Sequence, residues 1–291
     1  QLRLVLTGFL VFLLLVLGVE ILTMPTAFSF LHTEVPYYRI RLLTSESSWT
    51  GSIIIVFGVI YLVLATTKKQ LAFGYSFLLI NILFTGSKMI LICLPIAVFF
   101  ILMRNVTVKK VLGIAIAGLL FYLLLLPQLI NSLSVDLEQY TSIVSRSTAF
   151  LTAFLTGGHS VIGVGGLYPY YFINTIQDSL DLILNFIPLG NTSEVEGWGT
   201  EGFKAISGGS TLAHFTMQMG VFGILFFGML TVKLYSLTRI SNYLFFGVIY
   251  FVVSNMFTEI FLLRHAWPVF FAFIVFYNKY QDEFKNTGRY A

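Results

Sequence analysis

Two histidines, six isolated cations and one carboxylate are the residues here whose types and spacing could do chemistry. His214 stands at the foot of an apolar run, and His159 lies in Gly157-Gly158-His159-Ser160-Val161-Ile162-Gly163-Val164-Gly165-Gly166. Imidazole titrates near neutral pH and suits proton transfer, although a lone histidine at a helix end is more often structural. The stretch around Gly163, Gly165 and Gly166 is too glycine-rich for a helix or strand and implies a close backbone approach. No strand–helix frame surrounds it, so a dinucleotide site is not indicated. Arg39, Arg41, Lys88, Arg146, Lys204 and Arg264 are scattered along the chain, and Glu46 follows Arg41 by five residues. Cations from distant segments suit one task above others, the holding of an anion.

The elements that must position these groups follow from composition. Of 291 residues, 57% are hydrophobic and 10% charged, too little polar surface to coat a soluble globule of this length. The expectation is an all-α polytopic membrane protein. Apolar runs at 2–22, 51–66, 70–84, 88–103, 111–127, 215–233, 242–256 and 258–277 read as spans. The missing initiator methionine suggests that something upstream is absent, and the first run lacks the cleavage site of a signal peptide. Alternating the spans puts eleven basic and two acidic side chains on one side, and six basic and eleven acidic on the other. By the positive-inside rule the first side is the cytoplasm. The six cations above therefore lie on the outer face, where topology disfavours them and an anionic ligand would explain them. The net charge of +4 is dealt out in twos and threes and does not indicate nucleic acid. The one cysteine, Cys93, lies inside an apolar run and reads as a buried thiol filling space.

Three organisational blocks result: spans one to five over 1–127 with an outer segment at 23–50, a long external loop over 128–214, and spans six to eight with a tail over 215–291. The outer segment carries Tyr37, Tyr38, Arg39 and Arg41, which could equally be interfacial anchors. Thr85-Gly86-Ser87-Lys88 is a tight turn of small residues opening a helix whose positive end faces outward, a geometry suited to phosphate. An ordinary hairpin with a snorkelling lysine is the plain alternative. Within the long loop, 131–156 has apolar residues at helical spacing and reads as one or two amphipathic helices. Asp178 and Asp181 read as a solvated helix face and not as a metal pair. Glu194, Glu196 and Glu201, interleaved with glycines, read as a mobile surface segment.

Three separated segments together resemble the O-antigen ligase and Wzy-type polymerase superfamily of bacterial envelope glycosyltransferases. Phe84-Thr85-Gly86-Ser87-Lys88 is similar to its Thr-Gly-Ser-Arg junction, with lysine for arginine. Arg146 through Gly163-Val164-Gly165-Gly166 resembles its arginine followed by a Gly-x-Gly loop. Ala213-His214-Phe215, with Gly220 and Gly223 following, resembles its histidine-led helix, with Phe215 for the common asparagine. Arg41 to Trp49 looks like the Glu-Pro-Ser signature of polymerase members, with Ser47 where proline is usual. The resemblance covers roughly residues 39–239.

It implies a GT-C-like helical bundle with a long external loop, in the bacterial cytoplasmic membrane with its active site on the outer face. The expected activity is polymerisation of undecaprenyl-diphosphate-linked oligosaccharide units, one serving as donor and one as acceptor. Arg41, Arg146 and Lys88, with Arg39 and Arg264 further out, would clamp the leaving diphosphate. His214 or Glu46 would accept the acceptor hydroxyl's proton, and His159 with the glycine loop would face the glycan. Fixed cations take the place of a metal, no cofactor is implied, and direct attack would invert the anomeric centre. Chain-length regulator and flippase proteins are expected partners. Two other readings remain open: a ligase passing finished polymer to lipid A core, and a transporter or flippase. A transporter usually carries midplane charges and internal repeats, and neither is seen in the sequence.

Overall fold

The computed structural model describes residues 1–24, 40–44, 47–85, 87–103, parts of 113–130, 142–186, 192–200, 210–238, 241–257 and 266–286. These are helical almost throughout, with no strand among the described residues. The helices are α1 (Leu2–Thr23), α2 (Ser47–Leu64), α3 (Lys68–Thr85), α4 (Lys88–Met103), α5 (Ser142–Gly158), α6 (Tyr168–Phe186), α7 (Ser193–Thr200), α8 (Thr211–Met219), α9 (Val221–Leu237), α10 (Asn242–Phe257) and α11 (Trp267–Asn286). Among the described residues, α1 alone is long and apolar enough to cross a membrane, while α9 and parts of α2, α4 and α10 are shorter apolar helices.

The chain forms two compact units, one of residues 1–119, 235–250 and 262–291, the other of residues 120–234 and 251–261. In the first unit α2 is the central element. Ile54, Ile55, Val56, Val59, Ile60, Tyr61 and Leu62 are all buried, so this helix is packed on every side. Gly58 of α2 lies against Leu78 of α3, and Gly74 of α3 lies against Leu62 of α2. The two contacts pair residues in opposite order, which makes α2 and α3 an antiparallel hairpin in close approach. Small residues at such crossings let helix backbones come together. Helix α1 is buried along Leu6, Leu10, Leu13, Leu17 and Glu20, a single stripe at alternating spacings of four and three. Cys93 is fully buried on α4, as a space-filling thiol would be.

In the second unit the long loop is largely helical. Helices α5 and α6 form a hairpin joined by the glycine-rich stretch, with Ala149, Ala153, Phe172, Ala213 and Met217 at its centre. Of the acidic segment, Glu194 and Glu196 stand on helix α7, and Glu201 lies outside the described residues. Val195 of α7 is buried with Val144 and Leu180, and Trp198 packs on the same cluster, which supplies the apolar anchor that a run of glutamates and glycines does not advertise. Asp178 and Asp181 are exposed on α6, where Gln177 Nε2 donates to Asp181 Oδ1 at 3.1 Å.

Two of the expected spans differ in their bounds. The run 215–233 is not one helix: the chain breaks at Gly220, between α8 and α9, with φ of 57° there. Apolarity says nothing about this break because both sides of it are equally apolar. The last helix begins at Trp267 and continues to Asn286, past the apolar run. Pro268 in its first turn costs no hydrogen bond, and polar residues at its far end continue the helix because solvation does not oppose helical geometry.

Candidate functional site

The first unit holds a polar turn built around a buried carboxylate. Glu20 is 0% exposed. Its Oε1 accepts from the Arg41 backbone N–H at 2.9 Å, and its Oε2 from the Leu42 N–H at 2.8 Å. Leu42 has a positive φ of 48°, a left-handed conformation costing an L residue about 1–2 kcal/mol. The two hydrogen bonds from this backbone to the Glu20 carboxyl group offset that cost. The Arg41 carbonyl is held from the other side: Thr50 Oγ1 donates to it at 2.6 Å, and Thr44 Oγ1 at 2.9 Å. Arg41 is thus fixed through both peptide groups, with its side chain half-buried.

The same turn of α2 supports the Thr85–Lys88 turn. Gly51, next to Thr50, has room for no side chain: a Cβ there would lie 2.9 Å from Ile90 Cγ1 and 3.3 Å from Ser87 Oγ. Ser87 is buried and its carbonyl accepts from Leu91 N–H at 3.0 Å, so it opens α4. Asn81 and Thr85 are buried one turn apart on α3, with Thr85 Oγ1 donating to the Asn81 carbonyl at 2.7 Å. Arg41 and the start of α4 at Lys88 therefore share the first turns of α2 as a common anchor.

The second unit holds His214, half-buried on α8. Ser210 caps that helix, its side chain accepting from Ala213 N–H at 3.0 Å, which is how a serine satisfies an orphan amide at a helix start. Gln218, one turn on, places its Nε2 3.0 Å from His214 Nε2. An amide nitrogen donates, so in this arrangement His214 Nε2 accepts, while Nδ1 is sealed from solvent. The ring also stands edge-on to Tyr168, with centroids 5.6 Å apart.

The glycine stretch lies beside this helix, and its glycines have different reasons. Gly163 and Gly220 face one another, both at positive φ. A Cβ on Gly163 would come within 2.4 Å of Gly220 N, and one on Gly220 within 2.2 Å of the Val161 carbonyl oxygen. Two backbone hydrogen bonds close the crossing, Val164 N–H to Met217 O and Val221 N–H to Val161 O, both at 3.0 Å. Gly157 and Gly223 likewise lie against backbone, of Thr216 and Phe215. Gly165 has positive φ in open space, and Gly166 is open too. The close approach expected of this stretch is thus, at Gly163, an approach to the α8–α9 break. At Gly165 and Gly166 a Cβ would meet no described atom, while the Gly165 carbonyl accepts from the Tyr168 N–H.

Arg146 is exposed on α5, and among the described residues nothing bonds its guanidinium. His159 is exposed at the end of α5, its ring 5.5 Å from that of Tyr171. Arg146, His159, the three loop glycines and His214 all belong to the second unit, and Arg41 and Lys88 to the first. Arg39, Glu46 and Arg264 lie outside the described residues, as does the Lys88 side chain.

Sequence reasoning missed two residues that matter locally. Glu20 falls on the stripe Leu6, Leu10, Leu13, Leu17 of α1, and a carboxylate at the next core position of an apolar helix is a signal that could have been read. Gln218 is four residues after His214, the spacing at which two helix side chains meet. No family model, curated protein or solved structure matches the chain.

Proposed function

We propose that the chain is a membrane-embedded glycosyltransferase that joins lipid-diphosphate-linked oligosaccharide units into a polysaccharide at the outer face of the bacterial cytoplasmic membrane. The observation that carries this reading is the shared anchoring of Arg41 and the Lys88 turn on α2, with a buried glutamate spent on holding the arginine's backbone. A carboxylate buried on an apolar helix is costly unless it is used. Here it organises a cationic turn, the arrangement expected of a diphosphate clamp. Arg146 adds a cation bonded to no described residue, and Gly165 and Gly166 leave open space where a side chain would otherwise stand.

Membrane embedding is supported by the surface of the helices. Leu4, Val5, Leu15 and Leu22 of α1 and Phe222, Met229 and Val232 of α9 are all half or more exposed, apart from others like them. Monomeric soluble proteins rarely show contiguous apolar patches of more than a few hundred Å². Between Arg3 and Glu20, α1 carries no charge, and those seventeen steps rise about 26 Å, close to the ~30 Å hydrocarbon core of a bilayer.

In the proposed reaction the acceptor hydroxyl attacks the anomeric carbon of the donor as the diphosphate leaves. Arg41, Arg146 and Lys88 would stabilise charge developing on the departing phosphate oxygens, which is where preorganised cations lower a barrier most. His214 would take the hydroxyl proton on Nε2, with the Gln218 amide yielding that nitrogen's lone pair to the acceptor hydroxyl. The test is the lipid-linked glycan that accumulates when the protein is deleted. Single unpolymerised units support polymerase action, long unattached chains transfer the reading to a ligase, and an unchanged pool refutes both.

A further inference from the structure

At the end of α1 opposite Glu20 the first unit contains a half-open groove of about 1290 Å³, larger than the ~300–1,000 Å³ typical of small-ligand pockets. Its walls are apolar: Leu78, Leu79, Ile82, Leu94, Val98 and Phe246. Its mouth is polar and cationic, with Arg3 and Lys68, and no aspartate or glutamate stands among its lining residues. Arg3 is fixed there, its Nη1 donating to Thr66 Oγ1 at 2.9 Å and to Gln70 Oε1 at 3.4 Å. Gln70 Oε1 also accepts from Thr66 N–H at 2.8 Å and Thr67 N–H at 3.2 Å, so the amide is locked by the α2–α3 turn. Beside them the hydroxyls of Tyr75 and Tyr243 lie 2.8 Å apart, joining α3 to α10 along the groove.

We propose that this groove binds a phospholipid with an anionic headgroup from the cytoplasmic leaflet, the phosphate at Arg3 and Lys68 and an acyl chain along Leu79, Leu94 and Val98. The chemistry selects that occupant. Among the described residues the oxygens that hold Arg3 are neutral, so they position its charge without neutralising it, and an ordinary snorkelling arginine needs no such locked cradle. A fixed guanidinium and an ammonium over an apolar trough match a phosphate on a hydrocarbon chain. The site stands about 26 Å along α1 from Glu20, at the opposite face from the proposed diphosphate clamp, so it would hold a structural or regulatory lipid and not the glycan donor. This inference rests on the membrane reading above.

The test uses the purified full chain in detergent supplied with phosphatidylglycerol or with phosphatidylcholine of the same acyl chains, retained lipid being measured by mass spectrometry. Phosphatidylglycerol should be retained in clear preference, and Arg3→Gln with Lys68→Gln should lower its retention by roughly fivefold for each cation removed, leaving phosphatidylcholine unchanged. Equal retention of the two lipids, or a double variant that behaves like the parent, overturns the proposal. Lys68 is exposed, so Lys68→Gln alone gives the same readout without risk to folding. A photoreactive residue in place of Leu79, which is 59% exposed, should yield a phospholipid adduct. An adduct with another part of this chain or with a second copy would show that protein fills the groove. A cysteine replacing Lys69 separates the two levels: labelling from outside the cell sinks the membrane orientation, whereas labelling from the cytoplasm with no lipid preference sinks the groove alone.

Discussion

The polar turn around Glu20 and the glycine crossing beside His214 solve the same problem by opposite means. Both hold an irregular piece of backbone against a helix so that a candidate side chain, Arg41 or His214, has a defined place. In the first unit the tether is electrostatic, a buried carboxylate and two hydroxyls gripping the peptide groups of Arg41. In the second it is steric, two glycines whose backbones meet where a Cβ would come within 2.2–2.5 Å of main-chain atoms. An electrostatic tether should tolerate changes of shape and fail on loss of charge. A steric one should ignore charge and fail on the addition of a single methyl group.

The largest expected effect is on the proposed glycosyl transfer. Arg146→Ala should lower polymer formation by about 10²-fold or more while the protein still inserts and accumulates, and normal chain length in that variant would remove Arg146 from the clamp. His214→Ala should block transfer comparably; a parental rate would move the base to Glu46 or elsewhere.

Next comes the steric side of the comparison. Gly220→Ala puts a side chain at φ 57° against the Val161 carbonyl and should destabilise the second unit by about 3 kcal/mol, read as a lowered unfolding temperature in detergent. Gly165→Ala, also at positive φ but in open space, should cost only about 1 kcal/mol. Equal effects at the two positions would show that conformation and not contact is what both glycines supply.

The electrostatic side predicts a smaller, charge-specific loss. Glu20→Gln retains the shape and one acceptor, yet presents an amide NH₂ to a backbone donor. Weakening the two bonds should cost about 2 kcal/mol and raise the concentration of lipid-linked donor needed for half-maximal rate. If Glu20→Gln changed neither, the carboxylate would be a bystander of the turn. Smallest is Gln218→Leu, which frees His214 Nε2 without removing it. A rate loss of about tenfold with a displaced pH profile fits a residue that sets the ring's tautomer, while an unchanged profile would leave Gln218 a packing residue.

Much of this was legible before any coordinates. The helical character, the apolar runs 51–66, 70–84 and 88–103, which the helices match to within a few residues, the helix within 142–156 and the burial of Cys93 follow from composition and spacing. The sequence suggested a meeting of distant cations and not the tether that holds the Arg41 backbone. Glu20 lies more than twenty residues from the amides it accepts from, a pairing that no local pattern encodes. The break at Gly220 was invisible for a related reason, because the residue that forbids a side chain there, Val161, belongs to another segment.

The sequence by itself determined that this chain is helical, that α1 is apolar over a length near a bilayer's thickness, and that its cations are distributed unevenly along it. Those are sums over residues, and hydrophobic free energy and backbone hydrogen bonding act on sums. Tertiary structure alone decided which glutamate holds which arginine's backbone and which two glycines cross. Those are pairings, and a pair of distant groups is favourable only once the packing of everything between them has brought them within reach.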